Sequence, residues 1–234
     1  MTQRVVLESA FVLHSRAYGN TSSIVDLLSL SHGRICAIAR GARTIKSRFR
    51  GVLRPFVPLL VSWSGTTELM NLTVAEASSI PKEFNGKTLL SGIYLNELLV
   101  RLLHRYDPYP EVFLAYQQTL VQLQGQNTEL VLRQFEKKLL AQLGYGLPLD
   151  KEAETAKPIM ADAWYYFDPR RGLFKCPMTK LSANTFQGKH LLALHAGAFD
   201  NLENLRAAKQ LMRLAIESLL GKNQLKSREL FPPS

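Results

Sequence analysis

Acid is missing from one long stretch of this chain: no Asp or Glu lies between Asp26 and Glu68, whereas seven Lys or Arg fall in that interval. Such a segment holds no counter-charge of its own, so its cations must meet solvent or an external anion. Cysteine is scarce too. Cys36 and Cys176 are the only two, too few for a disulfide framework, and they read as plain thiols of a reducing compartment. A four-ligand zinc site would need two histidines besides them, and His190 and His195 are five apart, which turns them about 140° from one another on a helix. No metal and no other cofactor is therefore expected. No apolar run reaches the roughly 18–20 residues that span a bilayer, and the opening MTQRVVLESAFVLHSR lacks the basic, apolar and small-residue zones of a signal peptide. The expectation is a soluble, cytoplasmic protein with no membrane partner. Missing also are a G-x-S-x-G elbow, an H-E-x-x-H pair and any D-x-D pair, which removes the common hydrolytic and metal-assisted chemistries. The chain is not expected to be an enzyme.

What is present is enough apolar residue for a real core, 46% of 234 residues, together with a net charge of +10 and a pI near 9.7. The length fits one to three compact units, and the charge favours a polyanionic partner, whether nucleic acid, an acidic membrane or an acidic protein. The surplus is uneven. Residues 1–80 carry 9 Lys or Arg against 4 acids, residues 81–150 carry 7 against 7, and residues 151–234 carry 13 against 8, so a neutral middle separates two basic ends.

Residues 4–15 (RVVLESAFVLHS) and 23–40 (SIVDLLSLSHGRICAIAR) are rich in apolar and β-branched residues, with His32-Gly33 as a turn inside the second. Residues 52–63 (VLRPFVPLLVSW) and 67–78 (TELMNLTVAEAS) continue in this style across the Ser64-Gly65 turn, and Pro55 and Pro58 predict an edge or bulged strand there. Four or five short strands with tight turns predict a small closed β-barrel. After Pro81 the apolar period changes from two to near 3.6. Leu89, Ile93, Leu95, Leu98, Leu99, Leu102 and Leu103 recur at helical spacing and predict a helix that stops before Pro108. Residues 111–124 and 128–143 predict two more helices, the second with Thr128 as N-cap and Gly144 at its end. A last one spans about 202–220, closed by Gly221. Between Asp150 and Gly188 periodicity fades, so an irregular insert is expected at about 150–188. The fold class that follows is α+β, with a β-barrel in residues 1–80 and an α-helical domain in residues 81–234.

The acid-free interval holds the first candidate site. Residues 39–51 read ARGARTIKSRFRG, and Arg40, Arg43, Lys46, Arg48, Arg50 and Arg54, with Arg34 before them, lie close enough in sequence to follow one phosphate backbone. Phe49 interleaves with them and is placed to stack on a base. No amphipathic recognition helix carries these charges, so sequence-specific readout is not expected; the competing view is a solvated basic loop. Asn85-Gly86-Lys87-Thr88 ends like a phosphate-binding loop at a helix start. The position of that motif's first glycine is Pro81, which offers no N–H. A nucleotide-dependent enzyme using Gly86, Lys87 and Thr88 is the alternative this stretch raises, and a linker with a helix start is the plain reading. In the helical middle, Tyr94, Leu98, Leu102, Phe113 and Phe135 read as core. Arg133 and Lys137 share a helix face beside Leu132 and Phe135, an arrangement that an acidic peptide ending in a hydrophobic residue would use.

Several separate blocks in order carry a resemblance. They are AFVLHSRAYGNTS at 10–22, ARGAR at 39–43, RPFVPLL at 54–60, GIYLNELLVRLL at 92–103, RQFEKKLLAQLGYG at 133–146, and LRAAKQLMR with LGKNQLKSRELF near the end. Through them the chain resembles, nearly end to end, the RecO family of bacterial DNA repair proteins, recombination mediators of the RecF pathway. The resemblance implies an N-terminal OB-fold followed by an α-helical domain, and no catalytic site. It implies binding of single- and double-stranded DNA, annealing of complementary strands and, with RecR, loading of RecA onto DNA coated by the single-stranded DNA-binding protein SSB. It also implies that the helical domain binds the acidic C-terminal tail of SSB, which ends in a phenylalanine. By its place in the RQFEKKLL block, Arg133 then stands as the cation facing the tail carboxylates, with Lys137 one turn on. A nucleoid-associated place in the cytoplasm goes with that role.

Some relatives of this kind carry a four-cysteine zinc module between the central helices and the last helix. Here that region keeps only Cys176 and holds Trp164, Tyr165, Tyr166 and Phe167, so the metal is not carried over. On the same resemblance ARGARTIKSRFRG becomes a DNA-contacting loop of the barrel that neutralises phosphates and lets two strands meet. The C-terminal LKSREL, with Lys222, Lys226 and Arg228 in its neighbourhood, either extends that surface or contacts the barrel. A general RNA- or single-strand-binding OB protein is the alternative within the binding class.

Overall fold

A computed structural model of the chain describes residues 3–66, 69–80, 83–125, 127–199 and 201–231. Two compact units form: one comprises the chain up to Gln124 with the C-terminal segment from Leu225, the other Gly125–Gln224. In the first, five strands close into a barrel: β1 (Gln3–Tyr18), β2 (Ser22–Ser29), β3 (Gly33–Ala39), β4 (Pro58–Gly65) and β5 (Leu69–Ala77), in the order β1-β2-β3-β5-β4. All neighbours are antiparallel except β3 and β5, which meet in parallel at Cys36 and Leu69, Ala37 and Met70, and Ile38 and Asn71. That closure makes the barrel an OB-fold.

Alternation fills the interior, with Val25 and Leu27, Ile35 and Ala37, and Val61 and Trp63 all buried in one core. β2 and β3 are buried on both faces along most of their length, which is why they read as continuous apolar runs. The expectation of an edge strand at Pro55 and Pro58 is corrected: β4 pairs with β1 on one side and β5 on the other. Pro58 instead opens the strand, where a missing N–H does least harm, and the bulged alternative holds, with a register shift between Ser62 and Trp63.

Two helices of this unit, α1 (Gly86–Leu102) and α2 (Pro110–Gln122), pack with the barrel. Phe11, buried on the outer face of β1, meets Phe113 and Tyr116 of α2 at centroid distances of 5.3 and 5.2 Å. One buried point of the joint is polar. β1 slips register against β2 between Val12 and His14, and there the Leu13 carbonyl accepts a hydrogen bond from Asn96 Nδ2 of α1 at 2.9 Å. Asn96 Oδ1 in turn accepts the Tyr116 hydroxyl at 2.5 Å. α1 comes this close because residue 92 is glycine: a Cβ there would lie 2.7 Å from the Phe56 ring. Phe56, held at φ 68°, also stacks on Phe84 at 4.6 Å.

The C-terminal segment returns to α1. The Glu97 carboxylate accepts the backbone N–H groups of Lys226 and Ser227, at 3.1 and 2.8 Å, where a 3-10 turn (Lys226–Leu230) begins. Phe231 then lies edge-on to Tyr94 at 6.4 Å. Burial pushes the Glu97 carboxyl up, but hydrogen bonds from Ser227 and Lys226 and the charge of Arg101 outweigh it and hold the group below its ordinary 4.5.

The second unit contains α3 (Thr128–Gln142), β6 (Trp164–Asp168), β7 (Gly172–Cys176), β8 (Thr185–Gln187), α4 (Gly188–Ala196) and α5 (Leu202–Leu220). The N-cap of α3 is Asn127 and not Thr128: the Asn127 side chain accepts the Leu130 N–H at 3.3 Å. The stretch expected to be irregular holds an antiparallel sheet in the order β7-β6-β8. Strands of three to five residues are too short for a period of two to register. Among the described residues no helix is long and apolar enough to cross a membrane.

Asn96→Leu is expected to cost about 2–4 kcal/mol, since it leaves the buried Leu13 carbonyl and one bond of the Tyr116 hydroxyl unmade, against about 1 kcal/mol for Tyr116→Phe; denaturant unfolding measures both. The lowered Glu97 contributes its full stabilisation above its unfolded value near 4.5 and loses it as pH falls through the lower folded value. Amide exchange of Lys226 and Ser227, corrected for intrinsic rates, should thus be slow at neutral pH and speed up below about 4.5, and Glu97→Gln should remove that pH dependence.

Candidate nucleic-acid interface

The chain between β3 and β4 winds through successive backbone turns, Ser47 N–H to Thr44, Arg50 to Ser47 and Val52 to Phe49. Its apolar residues Phe49, Ala42, Val52 and Leu53 pack into the barrel core, which turns its polar residues outward. Arg40, Arg43, Lys46, Arg48, Arg50 and Arg54 are all exposed. Among the described residues none of them forms an ion pair.

The loop is braced. The Arg43 N–H donates to the Thr21 carbonyl at 2.8 Å and its Nη1 to the Gly19 carbonyl at 3.0 Å, which staples the loop to the β1–β2 turn. Arg50 Nη1 donates to the Ile45 carbonyl at 3.1 Å, and the Arg48 guanidinium lies 5.0 Å from the centre of the Phe49 ring. A guanidinium has five N–H donors, so these arginines keep donors for a ligand.

Phe49 does not offer a stacking face, which corrects the expectation drawn from its place among the cations. It is 3% exposed, because a loop across a small barrel needs an apolar anchor. The staple brings forward other residues: Arg16 and Tyr18 at the end of β1 are exposed, and Tyr18 adjoins the anchored Gly19. Sequence reasoning missed both because only the hairpin register, Arg16 with Ile24 and Tyr18 with Ser22, carries them to the loop.

Arg34 is set apart from the other six. Its Nη1 lies 3.1 Å from Asp26 Oδ1 and its Nε donates to the Leu103 carbonyl at 3.2 Å. Burial pulls its guanidinium below the ordinary value, and Asp26 partly restores it. The charge of Arg34 is therefore used inside the unit, joining β3 to the end of α1.

In the second unit, Arg133 is 6% exposed, with Nη2 2.8 Å from Glu136 Oε1. Its Nε has no hydrogen-bond partner among the described residues. Lys137 Nζ donates to the carbonyls of Leu194 and His195 at 2.8 and 2.7 Å, the last turn of α4, where a cation matches the negative end of the helix. Burial pulls this ammonium down. Leu132 and Phe135 are buried as well, so the face that Arg133 shares with them belongs to the core.

At the start of α1, the Thr88 hydroxyl donates to the Asn85 carbonyl at 2.7 Å and accepts the Asn85 N–H at 3.2 Å. Its polar capacity goes to a helix cap, while Pro81 lies outside the described residues. Nor do the donors of the insert fit a zinc ion. Cys176 stands opposite Trp164 in the sheet, His190 Nδ1 lies 2.7 Å from Asn204 Oδ1, and no group of three or more His, Cys, Asp or Glu among the described residues is placed to hold a metal.

Two family models match the chain: recombination protein O N terminal over residues 1–81, and recombination protein O C terminal over residues 83–229. The chain belongs to the RecO family. It is 50% identical over 230 residues to the DNA repair protein RecO of Coxiella burnetii (strain RSA 493 / Nine Mile phase I), covering 98% of this chain and 99% of the relative. It is 45% identical over 232 residues to that of Methylococcus capsulatus (99% and 95% covered) and 43% identical over 231 residues to that of Cellvibrio japonicus (98% of each). RecO membership places the chain in DNA repair and recombination.

Phe49→Ala should destabilise the barrel by about 3–5 kcal/mol, whereas Tyr18→Ala should leave stability within about 0.5 kcal/mol. Denaturant midpoints compare them, and a wild-type midpoint for Phe49→Ala would contradict its role as anchor.

Proposed function

We propose that this chain is a non-enzymatic recombination mediator of the cytoplasm and nucleoid. In this reading it binds single- and double-stranded DNA, anneals complementary strands and, with RecR, helps load RecA onto SSB-coated DNA. The observation that carries the reading is the group of six exposed cations, without an ion pair among the described residues, braced on a barrel of the OB type. Two nucleic-acid strands repel one another, and a surface of unneutralised cations lowers the cost of bringing them together. Contacts of this kind go to phosphate and tolerate any sequence. Tyr18 supplies the stacking face in place of Phe49. Arg34 serves the site by fixing β3.

A second part of the proposal is that Arg133 receives the acidic tail of SSB. Its support is the place of Arg133 in the RQFEKKLL block and the Nε donor without a partner. A tail carboxylate would compete with Glu136 for the guanidinium, and Lys137 would act by holding α4 to α3.

Charge reversal of Arg43 and Lys46 to Glu should weaken binding of a labelled single strand and reduce the slope of log affinity against log salt by roughly 2. Anisotropy at several salt concentrations measures this, with an RNA competitor alongside; unchanged affinity would remove the loop from the site. Arg133→Met together with Glu136→Met should keep the fold, since a buried pair replaced as a pair leaves no stranded charge, yet lose affinity for an SSB-tail peptide while DNA affinity stays. Equal tail affinity in the folded double variant would count against Arg133.

A further inference from the structure

The small sheet of the second unit turns an aromatic face outward. Along β6, Tyr165 and Phe167 are buried, while Trp164 and Tyr166 alternate with them onto the opposite face, Tyr166 being 39% exposed. Phe174 of β7 pairs directly across from Tyr166, so its ring joins the same face. Trp164 and Phe174 are both partly exposed. Trp164 stands two residues along from Tyr166, about 6.6 Å at strand rise, so the rings do not compete for one ligand ring.

The surroundings of this face are basic. From Trp164 to Lys189 there are five Lys or Arg and one acid, Asp168. Asp168 is engaged in the hairpin, where its Oδ1 accepts the N–H groups of Arg170 and Arg171 at 2.8 and 3.1 Å. The Arg171 guanidinium lies 4.7 Å from the centre of the Phe174 ring and pairs with Glu154 at 2.6 Å. Arg170 and Lys180 are exposed at the margins of the sheet. Flat rings on a sheet, with cations beside them, suit unpaired bases and their phosphates.

We propose that the face built from Trp164, Tyr166 and Phe174 is a second nucleic-acid site, which stacks the bases of a single strand while Arg170 and Lys180 meet its phosphates. The proposal rests on the DNA-binding reading of the chain and adds to it a site independent of the barrel loop. Stacking makes this contact less dependent on salt than the loop's, because a base carries no charge to screen.

The chain provides its own reporter, since the other tryptophan, Trp63, is 1% exposed in the barrel core. The full chain is titrated with a thymidine oligonucleotide while intrinsic fluorescence and the anisotropy of a labelled strand are followed together. Saturable quenching is expected in the wild type and in the Arg43→Glu, Lys46→Glu variant, and its loss in Trp164→Phe, which keeps a stacking ring. Tyr166→Leu should weaken binding roughly 5-fold or more at elevated salt, and Tyr166→Phe should not. Unchanged fluorescence at saturation, or wild-type affinity for Tyr166→Leu, overturns the proposal and leaves the barrel reading intact. Absence of any oligonucleotide binding overturns both. If Tyr166→Leu instead converts an oligomer to a monomer by light scattering with DNA affinity unchanged, the face is a self-association surface and the proposal falls.

Discussion

One buried amide holds the first unit to its geometry. Asn96 reaches the Leu13 carbonyl at the bulge of β1 and the Tyr116 hydroxyl of α2, so a strand and two helices meet on a single side chain. β1 is also the strand that pairs with both β2 and β4, and seating α1 against it fixes much else. Gly92, one turn before Asn96, lies against Phe56. Glu97 becomes the acceptor for the returning C-terminal segment, and the Leu103 carbonyl falls within reach of Arg34. An apolar residue at position 96 would lack the directionality to set this register, since buried polar groups reward only one geometry.

The basic loop depends on the same economy of charge. Arg34 and Arg133 are matched by Asp26 and Glu136, while the six cations of the loop are not. Concentrating like charge disfavours the compact state, and the loop bears that cost because Phe49, Val52 and Leu53 anchor it in the core. Phosphate binding relieves the repulsion, so the stored cost becomes part of the driving force for the ligand. Apolar anchor and cationic exterior are two faces of one alternating sequence.

Much of this was legible in the chain. The alternation in β1 to β5 gave the barrel, the 3.6-residue period after Pro81 gave α1, and the acid-free interval marked the loop; the resemblance to RecO agrees with the family matched over both halves. What was not legible depended on direction and register. Phe49 has the composition of a stacking residue, and only the closed barrel turns it inward. Arg34 looks like its neighbours until β2 pairs with β3 and brings Asp26 beside it. The sheet of β6 to β8 is too short to show a period. The change of period near Pro81 marks a change in the kind of secondary structure, whereas contacts group α1 and α2 with the barrel, through side chains such as Asn96 that no periodicity announces.

The central claim is that a basic barrel and a tail-reading helical unit together make two coated strands anneal. The direct measurement is the rate of annealing of complementary oligonucleotides pre-coated with SSB, in the presence of this chain, with intact SSB and with SSB lacking its acidic tail. Fast annealing with intact SSB that is lost without the tail is the predicted result. Annealing of naked strands alone, with coated strands inert in both cases, would contradict mediation and leave only a DNA-binding barrel.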